Sequence, residues 1–545
     1  MSELALPLGV KYLDGPRFRA AFIAGAQAII NDRVYLNKIN VFPVPDADTG
    51  TNMASTVQAV AAELSESPAL GDVVSGAANA ALMGSRGNSG IIFAQFLYGL
   101  SRSLKDEKLA SPKKFVLAAR EGVEHVYESL IHPVEGTILT VMRAWSNALE
   151  KVVATTDDFH VLLNKSYEVA EKALIDTPLQ LEVLAKAGVV DSGAKGFVDF
   201  LKGVLDFIKS GNLRDIPRFE KPEEQEELHH FSGEDEIPHR YCTEVLVSNS
   251  NIDFVEVKRK AESFGDSVVV AGSPQRLRLH VHTNNPADLF DWLRDKGELS
   301  SMKAEDMLRQ FEVSHKRKHA IALVTDSACD LPADIIAKHQ INVIPFTVNF
   351  GENSYLDKVT ITPEKFYSLL EQAPVHPSTA QPSPAMVSNQ LSFLKTHYDS
   401  VVTVHISSQL SGIFNLALQA INTQEGDDIF AIDSKQLSVS QGLIVYRLAL
   451  AIEAGKSFSE IKSLADEYVK KTKVFVDVAT LKYMVRGGRV SPMKGLVAKL
   501  LNLKPIISLD EDGKGVAYGK SFSRKGNMEK IKKLVSDYAY QAKVW

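Results

Sequence analysis

The sequence predicts a multidomain protein with three domains of different class: an all-α helical domain, a small α+β domain and a C-terminal α/β domain. Three observations predict them. Apolar residues keep a helical three-and-four rhythm, with no convincing strand, from about residue 13 to 209. The charged, proline-punctuated stretch Gly211 to Arg240 breaks that rhythm. Beyond it, short β-branched runs follow one another and then alternate with helical segments. A chain of 545 residues also exceeds what one hydrophobic core usually serves.

The elements can be justified in order. In residues 10–210, Met53, Val57, Val60 and Leu64 are spaced four, three and four apart. Val116, Ala119, Val123, Val126 and Leu130 keep nearly the same beat, so roughly eight helices are expected. Residues 211–240 are poor in aliphatics and read as a charged linker. In residues 241–315, "TEVLVS" and "SVVVAG" read as strands. "RLRLHVHTN" alternates, with Leu277, Leu279 and Val281 on one face and Arg278, His280 and His282 on the other. Helices are expected at about 253–264 and 286–295. Residues 319–545 hold apolar strands such as "SVVTVHISS" and "DIFAID" between helical stretches such as Glu364 to Glu371 and Ser411 to Thr423, which predicts a largely parallel sheet. "ISLDEDGKGVAYGK" reads as a hairpin turning at Asp512-Gly513, since it lacks the spacing and final glutamate of a calcium loop.

Composition excludes several classes. Lys+Arg 61 against Asp+Glu 67 gives a formal net charge of -6, which indicates no bulk affinity for nucleic acid or anionic membrane. Two cysteines, Cys242 and Cys329, are too few for a disulfide framework and fit a reducing compartment. The N-terminus lacks a basic flank before an apolar core, and no run of about 18 apolar residues occurs. A cytoplasmic protein, not an integral membrane protein, is expected.

The chemistry begins at "NVFPVPDADTGTNM" (Asn40 to Met53). Asp46 and Asp48 stand two apart on a segment that Pro43 and Pro45 hold extended, so both carboxylates can converge on a hard cation such as magnesium. The competing reading is that Asp48 or Thr49 caps a helix beginning near Asn52. "GSRGNSG" (Gly84 to Gly90) precedes a helix, where backbone amides make an anion site; close helix packing would explain its glycines equally well. It matches neither the Walker A nor the Rossmann pattern. "EGTILT" (Glu135 to Thr140) and "VVDSGAKG" (Val189 to Gly196) are two more small-residue turns between helices.

These four motifs, in this order on an all-α background, resemble the nucleotide-binding domain of the dihydroxyacetone kinase family, and specifically its bacterial fatty acid kinase branch. The resemblance spans about residues 10–210 and implies a barrel of antiparallel helices whose loops at one end hold ATP and magnesium. It implies that Asp46 and Asp48 are catalytic magnesium ligands, with Asn40 in the third ligand position. Thr49, Thr51 and Asn52 would lie along the phosphates, Gly84, Ser85, Asn88 and Ser89 would contact phosphate or nucleotide, and Thr137, Asp191 and Gly193 would lie nearer the base. The family's Asp-Gly-Asp is Asp-Ala-Asp here, at Asp46 to Asp48.

In the middle domain, His280 and His282 share a strand face near Cys242. Two histidines on a strand can be an ordinary polar face, and with a cysteine they can be a zinc set. "YCTE" and "HVHTN" resemble the middle domain of the same kinase branch, which implies that Cys242, His280 and His282 bind a structural or regulatory zinc, its fourth ligand unassigned. In the last domain, "SSQLSG" opens a helix and can hold an anionic head group, although serine caps explain it too. With "VTDSACDLP", "STAQPSP" and "LKYMVRGGRVS" it resembles the DegV family, which implies a long-chain fatty acid in an apolar tunnel. Thr379 and Ser411 would then hydrogen-bond the lipid carboxylate, and Arg489 would supply positive charge beside it. Thr-Ala-Gln-Pro replaces the family's Thr-Ser-Gln-Pro at Thr379 to Pro382, and the family's late His-Thr-Gly segment has no counterpart, so this domain is expected to be incomplete at its end. Cys329 reads as a small buried residue, not a nucleophile.

The reading expected from these residues is an ATP-dependent kinase that converts a fatty-acid carboxylate to an acyl phosphate, with the lipid presented by a fused DegV-like domain. An acyltransferase using acyl phosphate, and a homodimer, are partners this resemblance allows. The alternatives are a kinase for a small polyol such as dihydroxyacetone and a non-catalytic lipid-binding regulatory protein.

Overall fold

The computed structural model describes residues 9–42, 48–130, 132–210, 237–250, 252–424, 426–480, 482–487, 504–521 and 523–541. It divides into two compact units, Met1–His315 and Lys316–Trp545.

Unit one opens with nine helices among the described residues: α1 (Gly15–Lys38), α2 (Thr49–Glu63), α3 (Leu70–Gly84), α4 (Gly87–Leu104), α5 (Pro112–Ser129), α6 (Ile138–Val153), α7 (Phe159–Ile175), the short α8 (Glu182–Ala187) and α9 (Ser192–Ser210). Local chemistry sets their starts. Asp14 accepts from the Arg17 amide at 2.9 Å with Pro16 in the first turn of α1. Ser111 precedes Pro112 and accepts from the Lys114 amide at 3.3 Å, and Asp158 accepts from the His160 amide at 3.0 Å. A two-residue pairing of β1 (Leu13–Asp14) with β2 (Leu109–Ala110) interrupts the all-α pattern.

The connections sort to two ends. At one, Gly15 donates to the Pro68 carbonyl at 3.2 Å, Gly71 to Glu107 at 2.8 Å and Phe159 to Val10 at 2.9 Å. The segments entering α1 and joining α2–α3, α4–α5 and α6–α7 therefore lie together, and the other connections gather at the opposite end. Successive helices run antiparallel. Between them Phe22, Phe93, Phe96, Trp145, Phe197 and Phe200 interlock, with Phe93 and Phe200 edge to face at 5.1 Å between ring centres.

The rest of unit one is β3 (Tyr241–Ser248), α10 (Phe254–Glu262), β4 (Gly265–Ser273), β5 (Arg276–Thr283), α11 (Pro286–Leu293), β6 (Glu298–Asp306) and α12 (Met307–His315), with an antiparallel sheet in the order β4-β5-β3-β6. β6 and α12 lie beyond the sequence reading. β6 is an edge strand, mostly half-buried, whose apolar residues Leu299, Met302 and Ala304 do not keep a strand's alternation. Register puts Cys242 opposite His282, Glu244 opposite His280 and Ala271 opposite Arg278, so these residues share a face. On that face Val269 and Ala271 pack with Leu82 of α3 and Ile91 of α4. The alternative of an ordinary polar face for the His280 and His282 pair is thereby corrected. Both are buried, at 2% and 5% exposure, as is Arg278 at 5%.

Unit two is built on a parallel sheet in the order Ile429–Asp433, Ser400–His405, Ile321–Asp326 and Asn342–Ile344. Val402, Val404 and Ile432 meet Ile444 and Leu448 of the helix Ser438–Glu453 in its core. Its strands are near-continuous apolar runs because both faces are covered. The expected hairpin is present: Lys504–Leu509 pairs with Gly515–Ser521. Gly513 turns at φ +84°, and Asp510 accepts from the Asp512 and Lys514 amides at 3.0 and 2.8 Å.

Candidate functional site

Four helix starts meet at the loop-rich end of the bundle: α2 at Thr49, α4 at Gly87, α6 at Ile138 and α9 at Ser192. Side chains stitch them together. Ser192 Oγ donates to the Leu36 carbonyl at 2.7 Å. Asn37 accepts from the Thr51 amide at 3.0 Å and donates to Thr51 Oγ1 at 2.9 Å. Asn52 Nδ2 donates to Asp48 Oδ2 at 2.6 Å. Gly87 turns at φ +57°, and a Cβ there would lie 2.2 Å from Asn52 Nδ2; one on Gly193 would lie 2.9 Å from Ser89 Oγ. The buried Asp191 carboxylate accepts from the Ala194 amide at 2.7 Å and from the Ile138 amide, tying α9 to α6. Burial raises Asp191 to about 6, and the two amides pull the other way.

The structure brings most of the expected nucleotide residues to this end but gives several of them other work. The helix starts at Thr49, three residues earlier than expected, and the Asp48 side chain caps no backbone amide, so the capping reading of Asp48 is corrected. Asn40 is buried just past the end of α1. Asp46 lies outside the described residues. Gly84 permits close packing of α3 on α2, since a Cβ there would meet the Ala59 Cβ at 2.1 Å. Ser85 is buried and donates to the Leu82 carbonyl at 3.3 Å. Thr137 caps α6, accepting from the Leu139 amide at 3.4 Å and donating to the Val134 carbonyl at 2.7 Å. Asn88 Oδ1 is a buried acceptor with no protein partner, open to a donor from a bound molecule. Asp48 and Asn40 offer the hard oxygen donors that magnesium takes.

Behind α4 lies the charged face of the sheet. Cys242, His280 and His282 are all buried, and one ligand atom from each falls within 4.8 Å of the others. His280 Nε2 is buried without a hydrogen-bond partner. A thiol and two imidazoles whose ligand atoms cluster this closely suit zinc, so the donor set fits; on His280 it is Nδ1 that lies 4.0 Å from the Cys242 sulfur. Beside it stands Glu244, fully buried. Its Oε1 accepts from the Gly87 amide at 2.8 Å and sits 3.3 Å from His280 Nδ1, while Oε2 accepts from Arg278 Nη2 at 2.8 Å. Arg278 Nη1 donates in turn to the Met83 carbonyl at 3.2 Å. Burial favours protonated Glu244, but Arg278, His280 and Lys303 outweigh it and hold the carboxyl well below its usual range. Burial likewise opposes charge on His280, which Cys242 and Glu244 raise to about 10. Glu244 and Arg278 are absent from the sequence-based candidates. For Glu244 the signal available was a lone charge inside the buried run "YCTEVLVS", while Arg278 stood on the polar face of "RLRLHVHTN" already noted.

In unit two the expected lipid contacts are partly assembled. Thr379 is exposed on the short strand Ser378–Ala380. Ser411 Oγ accepts from the Ile413 amide at 3.4 Å, and a Cβ on Gly412 would lie 2.6 Å from Gln381 Oε1, so the two loops adjoin through Gln381. Arg489 lies outside the described residues. Beneath these loops is a buried knot. Asp326 accepts from the Ile406 amide at 2.9 Å, the Ala328 amide at 3.1 Å and Gln441 Nε2 at 3.2 Å, with His405 Nδ1 at 3.1 Å. His405 Nε2 lies 2.6 Å from Thr403 Oγ1. Burial pushes the Cys329 thiol up to about 12, which fits an inert thiol.

Comparison with known proteins agrees with this division. Residues 43–206 match the DAK2 domain, 238–314 the fatty acid kinase A-like middle domain and 320–544 the DegV family. An uncharacterized protein of Staphylococcus saprophyticus is 36% identical over 320 residues, 57% of this chain and 58% of that protein. One from Staphylococcus aureus is 33% identical over 321 residues, 57% of this chain and 59% of that protein. The chain thus spans less than two thirds of the length of these relatives. A DegV-family protein from Thermus thermophilus, described by its fatty acid binding, is 31% identical with a TM-score of 0.38, covering 40% of this chain and 78% of that one. DegV from Bacillus subtilis, described as a fatty acid binding protein, is 29% identical with a TM-score of 0.39, covering 41% and 79%. The chain carries, in order, matches to a DAK2 domain, a fatty acid kinase A-like middle domain and the DegV family.

Proposed function

We propose that this chain transfers the terminal phosphoryl group of ATP to a fatty-acid carboxylate, giving an acyl phosphate, with the DegV-family domain presenting the lipid. The observation that carries the reading is the meeting of four helix starts around Asp48, Asn52 and Ser89. Amides at helix starts suit phosphate oxygens; those of Thr51, Gly87, Ile138, Leu139 and Ala194 are already taken by side chains, so the donors this reading relies on are those of Asn88 and Ser89 in α4. The middle domain supports the acceptor, because the family model it matches is that of a fatty acid kinase.

Thr49, Thr51 and Asn52 would line the phosphates, and the amides following Gly87 would donate to them. Asp46, Asp48 and Asn40 would hold magnesium, which when bound supplies positive charge against the triphosphate. Cys242, His280 and His282 would hold zinc behind the phosphate loop. A carboxylate is already a nucleophile at neutral pH, so no general base is required and catalysis rests on positioning. Linkage of the two units raises the local concentration of lipid carrier near the kinase to roughly millimolar if the linker permits docking. A cytoplasmic location and a downstream acyltransferase follow from the same reading.

The test is to incubate the purified chain with labelled ATP, magnesium and oleate or palmitate, to trap acyl phosphate with hydroxylamine, and to look for co-purifying lipid by mass spectrometry. Acyl hydroxamate formed by the chain alone is expected. Its absence, even after a separate fatty-acid-loaded DegV protein is added, overturns the kinase assignment. Formation only with that added carrier keeps the kinase and removes the lipid from this chain.

A further inference from the structure

The middle domain reaches into the phosphate loop through one side chain. Glu244 Oε1 takes the amide hydrogen of Gly87, the first residue of α4, at 2.8 Å. Gly87 is the tightest point of the loop, at φ +57°, with Asn52 Nδ2 where its Cβ would be and Asn52 bonded to Asp48 at 2.6 Å. Arg278 braces the same loop from the other side of Glu244, bonding Oε2 at 2.8 Å and the Met83 carbonyl at 3.2 Å. Gln95 adds a further tie, donating to the Val270 carbonyl at 2.8 Å and accepting from the Gly272 amide at 3.3 Å. A continuous hydrogen-bonded and contact path therefore runs from Arg278 and His280 through Glu244, Gly87 and Asn52 to Asp48.

A carboxylate at a helix start is favourable in itself, but it occupies a donor that a phosphate would otherwise take. With the Gly87 amide committed to Glu244, the donors left for an anion at this start are those of the following residues, Asn88 and Ser89. Their direction depends on how the Arg86–Gly87 turn is held. We infer that Glu244 is a positioning residue that fixes the phosphate loop from the middle domain, so that the nucleotide site is completed only when the two domains are joined. This rests on the nucleotide-site reading above.

The test measures MgADP affinity of the full chain by calorimetry, beside ATP turnover and thermal unfolding. Glu244→Asp keeps the charge beside Arg278 but shortens the reach to Gly87. It should weaken MgADP by about tenfold, the usual scale for a supporting group, with the turnover loss carried by KM for ATP and the melting temperature little changed. Glu244→Gln with Arg278→Gln removes this ion pair yet keeps a side-chain carbonyl for the Gly87 amide; because the Arg278–Met83 bond is lost as well, it should recover part, not all, of the affinity that Glu244→Asp loses. Wild-type affinity in Glu244→Asp overturns the inference while leaving the nucleotide site standing. A wild-type chain that does not bind MgADP overturns both. In the unmodified chain, MgADP should slow amide exchange in residues 241–248 as well as 84–92, because opening β3 breaks the contact that the ligand requires. Protection confined to the helical domain overturns the inference whatever the variants do.

Discussion

The loop end of the helical bundle and the strand-end loops of unit two look alike in sequence, both rich in hydroxyls and aspartates, yet they use them differently. Asp326 spends its oxygens on two amides, Gln441 and His405, all within its own unit. It is a strut that joins loops. At the bundle end the polar groups connect different helices, and Asn88 Oδ1 is left buried without a protein partner. Composition of a loop does not separate a strut from a ligand site, and neither does one unmet acceptor, since Gln441 Oε1 in the knot is also buried without a partner; which elements the bonds join does.

The contrast can be broken at several points. The largest effect is expected from Asp48→Ala, which should lower phosphoryl transfer by about 10³-fold while fatty-acid binding is unchanged, as read by acyl phosphate formation and lipid co-purification. Asp46→Ala should behave alike. Asp326→Ala should do the opposite, costing unit two about 4 kcal/mol in urea unfolding because it strands buried donors, with MgADP affinity intact.

Asp191→Asn should alter pH dependence. A carboxyl raised to about 6 from 3.8 binds its proton more tightly in the folded state, so its stabilising contribution is complete below about pH 4 and is lost as pH rises through about 6. The stability difference between variant and wild type, from urea unfolding, should therefore grow by about 3 kcal/mol between those limits, in favour of the variant. The smallest effect is expected from Ser411→Ala, about 1 kcal/mol in retained fatty acid measured by exchange with a fluorescent lipid.

Much of the fold was legible because it rests on local periodicity. The rhythm of Met53, Val57 and Val60 is the buried face of α2, and the run Val401 to Val404 is a strand covered on both faces. β6 escaped because an edge strand needs little apolar alternation, and α12 because it follows β6 at Asp306–Met307 with no loop between them to mark a start. In the candidate site, Asp48, Asn52 and the glycine-rich loop announced themselves as motifs. Glu244 did not, since its meaning lies in an amide 157 residues away. Nor could sequence tell that Ser85 and Thr137 are occupied with their own backbone, which depends on how each loop closes.

The antiparallel course of the helices also sets the range over which a phosphate is felt. The ends of α1, α3, α5 and α7 lie beside the starts of α2, α4, α6 and α9, so their dipoles cancel at a distance and act only within the last turn. A triphosphate approaching a chain of net charge -6 gains no long-range pull from the bundle. Nucleotide association should therefore be paced by ordinary diffusion and should gain little speed as ionic strength falls. Such an arrangement would hold phosphate on contact without gathering it from afar.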